Sequence, residues 1–256
     1  MRFAYLGSGS KGNAALVNAG DTLLMLDCGF TVKEALSRLQ RSEVDPHRLT
    51  AIIVTHEHSD HISGVGALAR KLNVPVWMTA GTARAAARRL GKVPDLNFFD
   101  PHTSFSIGDI EIEPFPVPHD AYEPAQFVFQ AGGRRLGILT DVGSSTSHIE
   151  QMLSDCDALA LECNHDVGML QRGPYPQSLK DRVAGRLGHL SNDSAAELLG
   201  RIDQSRLQQV VAVHLSETNN SPALAQVALA SAMGMGSDRI IVADQDEGLD
   251  WCNIEA

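Results

Sequence analysis

The chain has 256 residues, of which 43% are hydrophobic and 20% are charged, and its formal net charge is −10. This length and composition are sufficient to bury one large core, so we expect a single domain over residues 1–256 rather than two small ones. The acidic balance opposes nonspecific attraction to nucleic acid. A nucleic-acid substrate would therefore require a local basic patch or bound metal ions.

The cysteines and the N-terminal residues indicate the compartment. Cys28, Cys156, Cys163 and Cys252 are scattered and form no CxxC pair, which is typical of reduced thiols. Glycines follow the first apolar residues at once, so the sequence predicts neither a signal peptide nor a membrane span. We expect a cytoplasmic protein.

The first elements in chain order are predicted to be strands joined by a glycine-rich turn. Apolar patterns predict strands over residues 2–6, Ala14–Val17 and Thr22–Asp27, and an amphipathic helix over Thr31–Arg41. The turn Gly7–Asn13 has two interpretations. It is either a flexible hairpin turn or a lip of backbone N–H and hydroxyl groups that could hold a phosphate.

A dense cluster of metal-ligand side chains, with the pattern HxHxDH, follows the apolar strand Ala51–Val54. In an extended segment His56 and His58 point to the same side. Asp60 and His61 fall where the chain turns into a helix. The two pairs therefore face two different metal positions, and the mixture of imidazole and carboxylate favours zinc or manganese.

The next stretch is predicted to alternate helices with a strand. The pattern predicts helices over Ile62–Leu72 and Ala80–Leu90, with the short strand Val74–Met78 between them. The second helix is basic and contains no acidic residue, so it is either a solvated face or a guide for a polyanion. The basic residues are Arg84, Arg88 and Arg89 in the helix and Lys92 just after it.

The remaining elements are strands with polar residues at their ends, and helices between them. The predicted strands are Leu96–Phe99, Ser104–Ile107, Ile110–Val117, Phe127–Gln130, Arg135–Leu139, Asp157–Leu161, Val210–Val213 and Arg239–Val242. The first three are expected in a second sheet. Ser191 or Asn192 is expected to cap a helix that runs through Leu199, and a last helix is predicted over Pro222–Met233.

The HxHxDH pattern after a buried strand resembles the signature of the metallo-β-lactamase superfamily. This resemblance implies an α/β fold, a four-layer αββα sandwich with metals at the sheet edge. It implies that Asp27 orients the metal-binding loop and that Asp141 bridges two divalent ions, zinc or manganese. The implied ligands are His56, His58, His119 and Asp141 for the first ion, and Asp60, His61, His214 and Asp141 for the second.

Such a ligand set indicates hydrolysis. Two metal ions can bind a bridging hydroxide as nucleophile and polarise the scissile group, which serves phosphodiester, thioester and lactone substrates equally well. Glu162 and His189 resemble the glutamate–histidine pair of the RNase Z-type nucleases, where it supports departure of the leaving group. The carboxylate would hold the imidazole in a state able to donate a proton. The predicted catalytic residues are Asp60, Glu162 and His189, although a structural histidine near a helix cap is the alternative for His189.

Over nearly its full length the chain resembles the WalJ/YycJ family of compact metallo-β-lactamase-fold proteins. The supporting stretches are residues 6–13, 55–61, 118–121, 162–166, 173–176, 188–192 and 214–220. The resemblance implies a cytoplasmic nuclease with 5′–3′ exonuclease action, and DNA is favoured over RNA as the substrate. The expected substrate-binding residues are Ser8, Ser10, Asn13, His165, Asn219 and Asn220, and a supporting role behind the metal ligands is equally open for His165.

Two other functions are compatible with the same residues. A small-molecule hydrolase that acts on thioesters or lactones agrees better with the acidic net charge. A noncatalytic metal-binding regulatory protein would use its ions only to brace the fold. The oligomeric state is not indicated by any pattern in the sequence.

Overall fold

Two seven-stranded sheets packed face to face form the centre of the molecule, in a computed structural model that describes residues 1–255. The first part of the chain contains β1 (Arg2–Gly7), β2 (Ala14–Ala19), β3 (Thr22–Leu26), α1 (Val32–Arg41), β4 (Ala51–Ile53), α2 (Ser59–Ile62), α3 (Val65–Leu72), β5 (Val76–Met78), α4 (Ala80–Leu90) and β6 (Leu96–Phe98). The second part contains β7 (Phe105–Ile107), β8 (Ile110–Pro116), β9 (Ala125–Ala131), β10 (Arg134–Leu139), α5 (Ser147–Leu153), β11 (Ala158–Glu162), α6 (Val167–Arg172), α7 (Gln177–Val183), α8 (Asn192–Arg201), β12 (Gln209–Val213), α9 (Pro222–Met233), β13 (Ile241–Val242) and β14 (Leu249–Asn253).

The two sheets repeat one plan of strand pairing. The first sheet has the order β14-β1-β2-β3-β4-β5-β6, and the second has the order β13-β12-β11-β10-β9-β8-β7. In each sheet a run of antiparallel strands passes into a run of parallel ones, at β3 and β4 in the first sheet and at β10 and β11 in the second. Parallel strands place their carboxyl ends at one edge of a sheet, and this edge carries the polar cluster described below.

Three hydrophobic layers separate the two sheets and the helices outside them. Side chains from both sheets, such as Phe3 and Phe127, fill the layer between the sheets. A second layer lies between the first sheet and α1, α3 and α4, where Leu39 and Leu68 are fully buried. A third layer lies between the second sheet and α5, α8 and α9, and it includes Leu198. The predicted four-layer αββα sandwich is therefore confirmed.

Short side chains at the N-terminal caps fix where several helices begin. The hydroxyl groups of Thr31, Thr79 and Ser191 each accept a hydrogen bond from a backbone N–H in the first turn of α1, α4 and α8. Such bonds satisfy donors that the helix itself leaves free. Ser191 is therefore the cap of α8, one of the two residues predicted for that role.

Three predicted elements differ from the structure. Leu96–Phe98 is the edge strand of the first sheet, paired with β5, and not part of the second sheet as predicted. The helix predicted over residues 62–72 is divided between α2, which ends at Ile62, and α3, because the backbone N–H of Gly64 donates to the carbonyl of Cys28 at 2.8 Å instead of to residue 60. The strand predicted over residues 239–242 is shortened by a 3₁₀ turn at Ser237–Arg239.

Candidate metal centre

The polar residues of the site follow the carboxyl ends of five strands. Asp27 follows β3, the segment 54–61 follows β4, Asp141 follows β10, Glu162 ends β11 and His214 follows β12. Asp27, Asp141 and His214 have positive φ angles of 60°, 52° and 57°. This left-handed conformation is uncommon for residues with a side chain and occurs most often at functional sites, because it turns the chain sharply as it leaves the strand.

Three histidines form the first group of the site. The ligand atoms of His56, His58 and His119 lie within 4.8 Å of one another. The nearest approach is 3.2 Å, between Nδ1 of His58 and Nε2 of His119. His56 and His119 are buried, whereas His58 is partly exposed at the mouth of the site.

Two carboxylates and two histidines form the second group. The ligand atoms of Asp60, His61, Asp141 and His214 also lie within 4.8 Å of one another. Oδ2 of Asp141 is 3.1 Å from Nε2 of His61, and its Oδ1 is 3.7 Å from Nε2 of His214. The same Oδ1 is 4.0 Å from Nε2 of His119 in the first group. Asp141 therefore stands between the two groups.

The histidines are held in the way that metal-binding imidazoles are held. In four of the five histidines, all except His58, one ring nitrogen contacts an anchoring group and the other faces the cluster. The anchoring contacts are His56 Nδ1 to Thr55 Oγ1 at 2.9 Å, His61 Nδ1 to Asp27 Oδ2 at 2.8 Å, His119 Nδ1 to the Gly188 carbonyl at 3.1 Å and His214 Nδ1 to Glu162 Oε1 at 3.1 Å. Nε2 of His56 is buried and has no hydrogen-bond partner among the described residues. A buried nitrogen without a partner, in a set of nitrogen and oxygen donors, fits a divalent cation.

Asp27 anchors the HxHxDH loop from behind. Its Oδ1 accepts a hydrogen bond from the backbone N–H of Thr55, and its Oδ2 accepts one from the Thr55 hydroxyl, both at 2.8 Å. With its bond to His61, the Asp27 carboxylate fixes both the start of the loop and one ring within it. Backbone bonds from Asn13 and Cys28 to the carbonyls of residues 60 and 61 hold the other end.

The buried carboxylates and histidines of the site favour the binding of a cation. Burial opposes a positive charge on His214, but nearby carboxylates, led by Asp141, raise its pKa to about 10. Burial also opposes ionisation of Asp141, yet His214 and His61 hold the pKa of that carboxyl well below its ordinary value. Burial and the neighbouring His61 lower the pKa of His56, which keeps it in the neutral form that binds metals. Bound divalent cations would supply the positive charge that protons supply here.

The buried Glu162 and the partly exposed His189 form a pair beside the second group. Glu162 is fully buried, and its Oε1 is 2.8 Å from Nδ1 of His189 and 3.1 Å from Nδ1 of His214. Its Oε2 accepts hydrogen bonds from the backbone N–H groups of Val142 and Leu190, at 2.9 and 3.2 Å. Burial opposes the charge of Glu162, but His189 outweighs it and the pKa is lowered to about 2. The carboxylate therefore stays ionised and holds both rings.

The predicted rim residues occupy different places. Ser10 is exposed and lines the cleft above the metal groups, a cavity of about 320 Å³. Ser8 is buried, and its hydroxyl accepts a hydrogen bond from the backbone N–H of His214 at 2.8 Å. Asn13 is also buried and contacts both Gly9 and Nε2 of His61. Ser8 and Asn13 therefore support the ligands rather than form a rim, since both are engaged with protein atoms.

The other three predicted contacts also differ from one another. Asn219 lines the cleft, and its buried Oδ1 has no protein partner in the described chain. His165 is buried outside the lining of the cleft, and its Nδ1 has no hydrogen-bond partner in the described chain, so both of its predicted roles stay predictions. Asn220 does not have a free group for substrate, because its amide exchanges hydrogen bonds with Asn192 and donates another to the carbonyl of Cys163. Asn220 ties two loops together, which corrects its predicted role.

Several residues of the cleft were not predicted from the sequence. Its walls include Asp120, Asn164, Tyr175 and Arg182. Nε of Arg182 donates to Asp120 at 2.6 Å, and the other oxygen of Asp120 is 3.8 Å from Nε2 of His58. The signal for Arg182 was the excess of basic residues around 180–186, but no pattern in the sequence shows that α7 packs over the metal groups.

Family comparison agrees with the geometry. The family model described as the beta-lactamase superfamily domain matches residues 22–215. This range contains every member of the two metal-ligand groups, from His56 to His214. The match and the fold together confirm the superfamily predicted from HxHxDH.

Curated relatives extend the likeness to nearly the whole chain. The exodeoxyribonuclease YycJ of Bacillus anthracis is 35% identical over 235 residues, which cover 91% of this chain and 89% of that protein. The exodeoxyribonuclease WalJ of Streptococcus pneumoniae serotype 2 is 35% identical over 93% of this chain and 92% of its own length. Among solved structures, the metallo-beta-lactamase fold protein YhfI of Bacillus subtilis has a TM-score of 0.76 at 17% identity, with 98% of each chain covered. The short form of human tRNase Z has a TM-score of 0.71 at 16% identity, with each chain covered completely. The chain belongs to the beta-lactamase superfamily, in the family of the exodeoxyribonucleases YycJ and WalJ.

Proposed function

We propose that this protein is a metal-dependent DNA exonuclease that hydrolyses phosphodiester bonds from the 5′ end. The observation that carries the proposal is the Glu162–His189 pair, in which the buried carboxylate holds an imidazole that lines the cleft beside two groups of candidate metal ligands. The exodeoxyribonucleases YycJ and WalJ, which are similar over nearly their full length, support DNA as the substrate.

The proposal includes two divalent cations, zinc or manganese, held by seven side chains. The ligands are His56, His58, His119 and Asp141 at one position and Asp60, His61, His214 and Asp141 at the other. When bound, such ions supply Lewis acidity and activate water as a nucleophile. Asp60 is also proposed as a catalytic residue. Burial opposes its charge, but His61 and His214 lower its pKa and keep the carboxylate ionised at the mouth of the cleft.

His189 acts as the general acid in this proposal. Burial opposes its positive charge, but Glu162 and Asp141 outweigh burial and raise its pKa, which favours the imidazolium form. Nδ1–H of that imidazolium donates to Glu162, which leaves Nε2–H free to give its proton to the leaving oxygen as the phosphorus–oxygen bond breaks. Glu162 positions the ring and keeps it protonated.

Other groups of the cleft are suited to hold the substrate. Ser10 and Asn219 offer hydroxyl and amide groups to the cleft, which is also lined by Tyr175, just before α7, and by Arg182 in α7. Arginine binds phosphate oxygens through two parallel N–H groups, and tyrosine stacks on bases without regard to sequence. These residues are the proposed contacts to the nucleotides on either side of the scissile phosphate.

The test uses metal-loaded protein with DNA and RNA labelled at the 5′ or the 3′ end. We expect mononucleotides as the first products from 5′-labelled DNA, and slower cleavage of RNA. His58→Ala is expected to abolish cleavage by removing a metal ligand, and His189→Ala to lower kcat by about 10²-fold to 10⁴-fold. His102→Ala is the matched control, since His102 is an exposed histidine outside the cleft.

Three results would contradict the proposal. Intact DNA in the presence of fully loaded protein would exclude the nuclease. Release of label first from the 3′ end would reverse the polarity. Turnover of lactones or thioesters that His189→Ala leaves unchanged, without cleavage of DNA, would establish the small-molecule hydrolase instead.

A further inference from the structure

A second cavity opens directly from the metal centre. It has a volume of about 590 Å³ and lies between α4 and the HxHxDH loop, where it is lined by Glu57, His58, Ser59, Ala85, Arg88 and Arg89. His58 and Ser59 also line the catalytic cleft. We call this cavity the α4 groove. Because the two cavities share these residues, a chain-like substrate bound at the metals can continue into the groove without a break.

The α4 groove is positive although the whole protein is negative. Helix α4 carries Arg84, Arg88 and Arg89 and no acidic residue, and all three arginines are exposed. Elsewhere Arg134, Arg182, Arg201 and Arg206 form ion pairs with carboxylates, whereas over residues 1–255 none of the α4 arginines does so. Arg88 and Arg89 lie in the last turn of α4, where their positive charge also interacts favourably with the helix dipole. That interaction alone does not explain why a cavity lies beside them.

The wall of the groove is held in place by hydrogen bonds. Nη1 of Arg89 donates to the carbonyl of Glu57 at 3.1 Å. Glu57 is the one carboxylate that lines the groove, and its Oε1 accepts a hydrogen bond from the backbone N–H of Tyr122 at 2.8 Å. Its Oε2 is buried from solvent. The accessible charge of the groove therefore comes from the two arginines.

We propose that the α4 groove binds the phosphates of the DNA strand next to the scissile phosphate, through Arg88 and Arg89. The inference rests on the proposed nuclease function and adds the path of the substrate. A net charge of −10 repels DNA over most of the surface, so binding depends on local positive charge close to the active site. Arginine that has no carboxylate partner is available for phosphate, and its planar guanidinium matches phosphate geometry.

The other basic side chain at the cleft does not offer the same site. Arg182 is the arginine that lines the cleft itself, and its guanidinium is already paired with Asp120 at 2.6 Å. A phosphate there must compete with a carboxylate. The α4 groove is therefore the more favourable path for the DNA strand as it leaves the metal centre.

The experiment compares Arg88→Gln and the double variant Arg88→Gln/Arg89→Gln with the wild-type protein, on 5′-labelled single-stranded DNA at several salt concentrations. Arg239→Gln is the control, because it removes the same charge from an exposed 3₁₀ turn before β13. We expect the KM for DNA to rise about tenfold in the double variant, and the slope of log KM against log salt to fall by about 2, or by about 1 in Arg88→Gln. Hydrolysis of bis(p-nitrophenyl) phosphate, which is too small to reach the groove, reports whether the metal centre is intact.

The outcomes separate the groove from the nuclease. If both variants match Arg239→Gln in KM and in salt slope while DNA is cleaved, the groove proposal is wrong and the nuclease stands. If the wild-type protein cleaves no DNA, the nuclease is wrong, and the groove is then judged by fluorescence anisotropy with the same DNA. Equal affinity of the wild-type protein and the double variant for DNA in that assay overturns the groove proposal. A double variant that loses binding to polyglutamate but not to DNA also overturns it.

Discussion

Glu162 connects the metal ligands to the proposed acid with a single oxygen atom. Its Oε1 lies within 3.1 Å of Nδ1 of both His189 and His214, and its Oε2 is held by two backbone N–H groups. A carboxylate in this position orients a ligand and an acid at the same time. It also fixes which nitrogen of each ring is free for chemistry.

Replacement of Glu162 by glutamine tests this double role. Glutamine keeps the size and the acceptor for the backbone N–H groups, but its amide cannot stabilise imidazolium at His189. We expect kcat to fall about 10-fold to 100-fold with little change in KM, and the weaker hold on His214 to lower metal affinity by a similar factor. The measurement is steady-state cleavage across pH together with metal titration.

The matched control for this variant is Glu150→Gln, which removes a carboxylate at the surface that contacts Arg201 and Ser145. The account predicts that the acidic group responsible for cleavage titrates at lower pH in Glu162→Gln, because the imidazolium has lost its partner. An unchanged pH profile with a lower kcat would mean that Glu162 only packs the site.

At the level of single residues, the structure brings together the side chains predicted as metal ligands, whereas several residues that line the cleft were not predicted. His56, His58, Asp60 and His61 could be placed because their spacing follows from the geometry of a strand that enters a helix. Asn220 looked free in the sequence, but long-range bonds to Asn192 occupy it. Such bonds depend on how distant loops meet, and no local pattern encodes that.

At the level of elements, the ends of parallel strands gather the site. Hydrophobic runs predicted most strands, because strands buried on both faces are continuously apolar. The sheet to which Leu96–Phe98 belongs was not predicted, since an edge strand has the same pattern in either sheet. The division of the helix at Gly64 was also missed, because its cause is a hydrogen bond to the distant carbonyl of Cys28.

Asp157 joins three segments at the start of β11. It is buried, it accepts hydrogen bonds from the backbone N–H of Arg135 and from Arg134, and Arg206 contacts both of its oxygens. Burial opposes its ionisation, but these donors outweigh burial and lower the pKa of the carboxyl below 3.8. The unfolded chain therefore binds the proton more tightly than the folded chain does. The resulting stabilisation is complete above the unfolded pKa and is lost as the pH falls through the folded pKa.

We expect Asp157→Asn to lower the free energy of unfolding by about 1–3 kcal/mol at pH 7. Because the stabilisation depends on the ionised carboxylate, the difference from the wild-type protein should shrink as the pH falls below about 4. Urea unfolding at about pH 7, 4 and 3 measures it, with the exposed Asp250→Asn as the control. A difference that does not change with pH would show that packing, not charge, is responsible.

At the level of the whole molecule, the distribution of charge matters more than its sum. The net charge of −10 agreed with a small-molecule hydrolase, yet the two cavities at the active site are lined by histidines and arginines. Four acidic residues, Asp27, Asp60, Asp141 and Glu162, lie at the centre of the molecule and require positive charge. Over residues 1–255, no helix is both long and apolar enough to cross a membrane.

The central claim is that side chains from separate strand ends bind a pair of divalent cations. Native mass spectrometry of protein equilibrated with zinc or manganese measures this directly. The account predicts two ions per chain in the wild-type protein and in His102→Ala, and one in His58→Ala, which loses a ligand of the first group only. Wild-type protein that binds no ion, or His58→Ala that retains both ions with unchanged affinity, would contradict it.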